Sequence, residues 1–276
     1  MKLISWNIAR RKEAWQALLT SDADVGIIQE ANPPPKNLIE EGQVDGMPWE
    51  TEGVDTYKKR NWRTAIVKIS SNVNVEWFEP KSLENARSRE FGVSQLGTLS
   101  AAIVTPFNEE PIIVISAYGL WKRPHKRTGS RWIMADASVH RLISDISSFI
   151  GHGKKHRLIV SGDFNILYGY GERGRKYWAE RYQSVFSRMA SLGVPFIGPQ
   201  APEGGRQASP WPKELPTDSK NVPTFHTNRQ TPETATRQLD FVFASESIKD
   251  RIAVRAINDP DEWGPSDHCR IEINFE

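Results

Sequence analysis

Short apolar runs recur along the chain, each closed by polar or turn-forming residues, and they alternate with stretches of helical periodicity. Runs rich in β-branched residues between turn signals read as strands, here at 2–6, 24–29, 63–69, 73–78, 98–105, 111–117, 157–162, 238–244, 251–257 and 269–275. The last is the cleanest: Cys269, Ile271, Ile273 and Phe275 alternate with Arg270, Glu272 and Asn274, the pattern of a half-buried strand. Helical spacing predicts a helix over 131–150, with Trp132, Ala135, Val139, Leu142, Ile146 and Phe149 on one side. A second spans 176–192, with Trp178, Tyr182, Val185, Phe186, Met189 and Leu192, and a shorter one spans 11–20. The Pro, Gly and Thr-rich stretch 193–236 shows little periodicity and reads as a long ordered loop, because it still carries Phe196, Trp211 and Phe225. Strands outnumber helices and cluster in two halves of the chain, which predicts a layered α/β fold with two packed sheets. No composition break divides it, so residues 1–276 read as one domain.

The polar residues that close the apolar runs carry the chemistry. Asn7 ends "ISWN", Glu30 ends "IIQE", Tyr118 ends "IIVISAY", and Asp163 and Asn165 end "LIVSGDFN". Asp240 sits inside "QLDFVFAS", and "PSDHC" sets Asp267 and His268 before the last strand. Singly these have plain explanations: an Asn forms turns, a loop acid is solvated, an adjacent Asp and His make a structural pair. Asp240 is different, since a carboxylate between Leu239 and Phe241 is costly without a partner. Ligands of sheet proteins gather where strand ends and loops converge.

Composition changes this picture little. With 36 basic and 34 acidic residues the net charge is +2, so attraction for nucleic acid must come from local patches. Two exist, "YKKRNWR" at 57–63 and "WKRPHKRTGSR" at 121–131. The single cysteine, Cys269, excludes an intramolecular disulfide and a Cys-based zinc cluster. No leader-like segment and no membrane-length apolar run stands out, so the expectation is a cytoplasmic protein without membrane insertion or an obligate protein partner.

Glu30 and Asp267, with amide oxygens, suit a hard divalent cation such as Mg²⁺, which takes oxygen ligands and offsets charge on a phosphoryl group. Asp163 can orient and deprotonate a water, while His268, Asn7, Asn165 and Tyr118 can hydrogen-bond a phosphate as its charge grows. "SWNI", "IIQE", "SAY", "SGDFN", "RQLDFVFAS" and "PSDHC" resemble, in order and approximate spacing, the motifs of the endonuclease/exonuclease/phosphatase superfamily. They span residues 5–269 and are nearest in character to its exonuclease III-like, apurinic endonuclease-type members.

The resemblance implies a four-layer α/β sandwich with two central mixed sheets flanked by helices, the DNase I-like fold. It implies a Mg²⁺ ion, with Mn²⁺ as a substitute, held chiefly by Glu30 with Asp267 and Asn7. It gives Asp163 the water, Asn165 and Asn7 its support, and an Asp the task of orienting His268. Asp240 is the favoured partner, leaving Asp267 for the metal. The expected activity is phosphodiester hydrolysis, with nucleic acid as substrate; a small-molecule or lipid-headgroup phosphodiesterase is the alternative. Basic and aromatic residues of the two following loops are then substrate-binding candidates: Trp121, Lys122, Arg123, Lys126, Arg127 and Arg131 in one, Tyr168, Tyr170, Arg173 and Arg175 in the other. Trp132 and Tyr177 join them as stacking rings, with at least one of Trp132, Tyr177 and Trp178 expected in the core. Ala9 departs from the pattern, standing where many apurinic endonucleases carry a second polar residue.

Overall fold

The computed structural model describes residues 1–51 and 60–276. Tyr57, Lys58 and Lys59 of the first basic run lie outside the described residues. Two mixed sheets form the centre. The first has strands in the order β12 (Ile252–Ile257), β13 (Arg270–Phe275), β1 (Lys2–Asn7), β2 (Val25–Ala31) and β3 (Arg63–Lys68). The second runs β10 (Phe196–Gly198), β11 (Asp240–Ala244), β9 (Leu158–Asp163), β8 (Ile112–Tyr118), β7 (Leu99–Pro106) and β4 (Val73–Trp77). Each sheet has one parallel pair, β1 with β2 and β8 with β9, and is otherwise antiparallel.

Burial follows the two-residue alternation of the strands. Leu3, Val25, Ile27, Ile66, Ile271 and Ile273 from one sheet meet Ala102, Val104, Ile112, Val114, Ile159 and Val242 from the other. On the outer face of the first sheet, Trp6, Ile28, Ala65 and Val67 pack against Ala14, Trp15 and Leu18 of α1 (Lys12–Leu19). On the outer face of the second, Ile115, Val160, Phe241 and Phe243 pack against α3 (Asp136–Ile146) and α4 (Lys176–Ser191). Helix, sheet, sheet and helix therefore make the four layers, the DNase I-like α/β sandwich.

Every predicted strand is present within a residue or two. Three features escaped the periodicity because they are too short to express one: α2 (Lys36–Glu40), β10, and the two-residue parallel pair β5 (Lys81–Ser82) and β6 (Gly92–Val93). The helix expected over 131–150 is confined to 136–146, followed by a 3₁₀ turn over Ser147–Phe149. Its start is displaced because Met134 pairs with Lys122 in both directions (2.6 and 2.7 Å), which holds 134 extended. Trp132 thus lies in a loop and not on the helix. Among the described residues no helix is long and apolar enough to cross a membrane.

Strand polarity gathers the polar strand ends. Parallel β1 and β2 end together at Asn7 and Glu30; parallel β8 and β9 end at Tyr118 and Asp163, which are register partners. Antiparallel β11 begins at Asp240, opposite Asp163. His268 precedes β13, which runs antiparallel to β1. One edge of the sandwich therefore receives them all.

Candidate active site

Asp163 stands at the centre, 1% exposed. Its Oδ1 accepts the Asn165 backbone N–H at 2.9 Å; its Oδ2 accepts Asn165 Nδ2 and Asn7 Nδ2, both at 3.0 Å. Asn165 also donates to the Gly119 carbonyl at 2.9 Å, tying the loop after β9 to the loop after β8. Phe164, fully buried between Phe241 and Phe243, anchors the turn so that its two polar neighbours face the cleft. Burial raises the Asp163 carboxyl, against the opposing pull of His268, to about 7.

His268 Nδ1 lies 2.8 Å from Asp240 Oδ2, and Thr224 Oγ1 donates to that same oxygen at 2.7 Å. His268 Nε2 faces the cleft, 3.7 Å from Asp163 Oδ2 and 3.4 Å from Asn7 Nδ2. Burial alone would lower this imidazole, but the charges of Asp240 and Asp163 and the hydrogen bond to Asp240 carry it up to about 10. These neighbours favour the imidazolium, in which both ring nitrogens donate. Asp163, Asp240 and His268 offer donor atoms within 4.8 Å of one another, close enough to hold a metal ion, and they also pair with one another as an ionic network.

Glu30 occupies the other side. Its Oε1 accepts the Tyr118 hydroxyl at 2.9 Å and Asn7 Nδ2 at 3.4 Å; its Oε2 lies 3.5 Å from Arg10 Nε. Burial holds the Tyr118 phenol well above its ordinary range, so it stays a donor. Glu30 has φ 43°, and the β2–β3 register slips between Ile28 and Ala31, a bulge that turns its side chain toward the cleft. Ala9, Arg10 and Asn165 also have positive φ (46°, 60° and 52°). Each such non-glycine conformation costs about 1–3 kcal/mol, and their concentration around one cleft is the usual location of functional strain.

The donor chemistry fits a hard divalent cation at Glu30. Glu30, Asp163 and Asp240 crowd negative charge against the His268 imidazole, exposed Arg10 at 3.5 Å from Glu30 Oε2, and Arg60, whose charge also acts on Glu30. Asp267 is half-buried, its carboxylate 3.4 Å from Ser266 Oγ, its one hydrogen-bond partner among the described residues. Asn7 fits a metal less well than its type implies: its Oδ1 accepts the Ala9 N–H at 3.0 Å, and its NH₂ points to the carboxylates, so it is a donor to them.

Of the substrate-binding candidates, Trp121, Arg123, Lys126, Arg127, Arg131, Arg173 and Arg175 are exposed on the two loops. Tyr170 is a correction: it is a 9%-exposed core residue, so its ring is not open to a base. Tyr168 is half-buried, packed 4.6 Å from Phe186 and 4.8 Å from Phe196. Lys122 reaches Gln95 Oε1 at 3.0 Å and braces the loop base. Residues that sequence reasoning missed include Thr224 and Phe225, the latter 4.8 Å from the His268 ring, both delivered by the Pro-rich loop. Trp62 was missed too, its ring set edge-on to Tyr118 with the centroids 5.0 Å apart. Arg10 was also overlooked, although its place three residues after Asn7 is a usable signal.

Gly119 has a specific reason: a Cβ there would collide with the Phe164 carbonyl. Gly119→Ala is expected to destabilise the protein by about 1–3 kcal/mol, and to slow catalysis by displacing the Asn165 anchor. An unchanged melting temperature would show the contact is not tight.

No protein-family model matches the chain, and no curated protein sequence does. Solved structures do match over its full length. An AP endonuclease from Archaeoglobus fulgidus has a TM-score of 0.64 at 15% identity, covering 100% of this chain and 99% of that one. A 3′-5′ exonuclease (NExo) from Neisseria meningitidis gives 0.60 at 18%, covering 100% of both. The endonuclease domain of TRAS1, a telomere-specific non-LTR retrotransposon, gives 0.58 at 17%, covering 100% and 98%. The chain shares their fold.

Proposed function

We propose that this protein is a divalent-metal-dependent phosphoesterase that hydrolyses phosphodiester bonds in nucleic acid. The observation that supports this best is the Asp163 carboxylate, held by Asn7 and Asn165 between the Asp240–His268 pair and the Glu30–Tyr118 pair. A cation held by Glu30, with Asp267 as the second carboxylate, would act as a Lewis acid on a phosphoryl oxygen. Asp163 takes the proton of the attacking water, for which a carboxyl raised to about 7 is well matched near neutral pH. Its two amide neighbours fix the direction of its lone pairs. His268 donates from Nε2 to the phosphoryl oxygen on which charge builds, and Asp240, bonded to Nδ1, keeps it cationic and oriented. Tyr118 and Asn7 supply further donors.

Nucleic acid is favoured over a small phosphodiester by the basic loop 121–131, which follows Tyr118 directly, and by the fold neighbours, whose descriptions are those of endonucleases and an exonuclease. The test is a Mg²⁺-dependent panel of supercoiled plasmid, single strands, abasic duplex, RNA and a generic phosphodiester, with His268→Ala as the blank. Cleavage of at least one nucleic acid by wild type, lost in the blank, is expected. Equal inactivity of both on every nucleic acid refutes the proposal, and turnover of the generic phosphodiester alone moves the substrate to small molecules.

A further inference from the structure

Four of the seven large apolar side chains exposed among the described residues come from two segments that meet at Trp178: Trp121, Trp132 and Ile133 from the loop after β8, and Tyr177 from the start of α4. Trp121 is 56% exposed, Trp132 40% and Tyr177 59%, an unfavourable display unless something covers them. The rings are braced. Trp132 and Tyr177 lean on buried Trp178 with centroids 6.0 and 5.2 Å away. The Arg175 guanidinium lies 4.9 Å over the Trp132 ring, and Arg181, bonded to the Tyr177 hydroxyl at 2.8 Å, lies 5.5 Å from the Tyr177 ring. The Lys122–Met134 pairing and the Ser138 hydroxyl on the Leu120 carbonyl (2.7 Å) close the base of the loop.

The charge of the loop after β8 has one sign: residues 119–135 hold five Lys or Arg and no acid. Of the acids beside it and beside the start of α4, Asp136 is engaged by Arg181 at 2.6 Å, Glu172 by Arg237 at 3.0 Å and Glu180 by Lys176 at 3.6 Å, while Glu214 stands exposed beside Gly174. Trp121 follows Tyr118 by three residues, a reach of at most about 11 Å, or about three nucleotides of stacked strand at about 3.4 Å each. Aromatic rings among cations next to a phosphodiester cleft match a polyanion that has free π-faces. In a closed duplex those faces are already stacked on one another; in an unpaired strand they are available.

We propose that Trp121, Trp132 and Tyr177 form a stacking platform for unpaired bases of the strand being cleaved, so that the enzyme selects single-stranded or frayed nucleic acid over closed duplex. This rests on the phosphodiesterase reading above. Binding is measured by fluorescence anisotropy in EDTA at fixed salt, with a short labelled single strand and a blunt hairpin duplex of the same sequence. Wild type is expected to favour the single strand by about tenfold or more, and Trp132→Ala to lose about tenfold on it, the share of one stacked base. Trp132→Ala should change duplex binding less than about twofold, since phosphate contacts are common to both forms. Trp132→Phe should retain most of the single-strand affinity. Equal wild-type affinity for the two forms, equal losses in Trp132→Ala, or a Phe variant as weak as Ala overturns the platform. If wild type meanwhile cleaves nucleic acid with Mg²⁺, the catalytic proposal stands and only the platform falls. Binding to neither form, with no cleavage, removes both and leaves these rings to a protein partner.

Discussion

Asp163→Asn is expected to lower the Mg²⁺-dependent cleavage rate by about 10²–10⁴-fold, the contribution typical of a positioned general base. The amide has the same shape but cannot take a proton from water. It also misreads its surroundings, because both oxygens of Asp163 face donors: the Asn165 N–H on one side, the amides of Asn7 and Asn165 on the other. One end of the new side chain must therefore set a donor against a donor. A moderate fall in melting temperature accompanies the loss of rate, and the loss should concern kcat more than substrate affinity. Activity of Asp163→Asn within tenfold of wild type would exclude Asp163 as the base.

Cleavage by wild type should follow a bell-shaped pH profile whose limbs belong to the Asp163–His268 pair. The base must be ionised, so the rate rises with pH through the Asp163 value of about 7. With Mg²⁺ bound at Glu30 this limb moves lower, because neutralising Glu30 removes one of the charges that raise Asp163. The donor must be protonated, so the rate falls as pH passes the His268 value of about 10.

Asp240→Asn removes the main influence that raises His268. The expected result is a rate about 10²-fold lower at mildly alkaline pH, and a smaller loss at pH 6, where the imidazole is still protonated. The alkaline limb should move down from about 10 by several units, to below the mildly alkaline pH at which the loss is read. A uniform loss across the range, with the limb unmoved, would mean that Asp240 only supports the fold. Thr224→Val, which removes the hydroxyl bonded to the same Asp240 oxygen, tests the next contact outward and should shift the limb less.

Much of this was legible before any coordinates. Two-residue alternation and β-branched runs located every long strand, because a half-buried or buried strand must show its burial in its residue types. The chemistry of the cleft was legible for a related reason: a strand interior is apolar, so a carboxylate or amide at its end is conspicuous. Asp240 inside "QLDFVFAS" required a partner on energetic grounds, and the structure supplies His268 at 2.8 Å.

The rest depended on contacts between segments distant in sequence. Whether an aromatic is core or rim depends on what packs beside it. Tyr170 is buried in the core and Tyr168 packs half-buried against α4 and β10, while Trp132, which has helical spacing, is held out by the Lys122–Met134 pairing. Thr224 and Arg10 matter only because loops carry them to Asp240 and Glu30. Side-chain chemistry and local periodicity thus determined which residue types could form strands and a reactive edge. Which atoms meet, and which rings remain open, was decided by backbone hydrogen bonds and packing across more than a hundred residues, as in Asn7 Nδ2 meeting Asp163, 156 positions away.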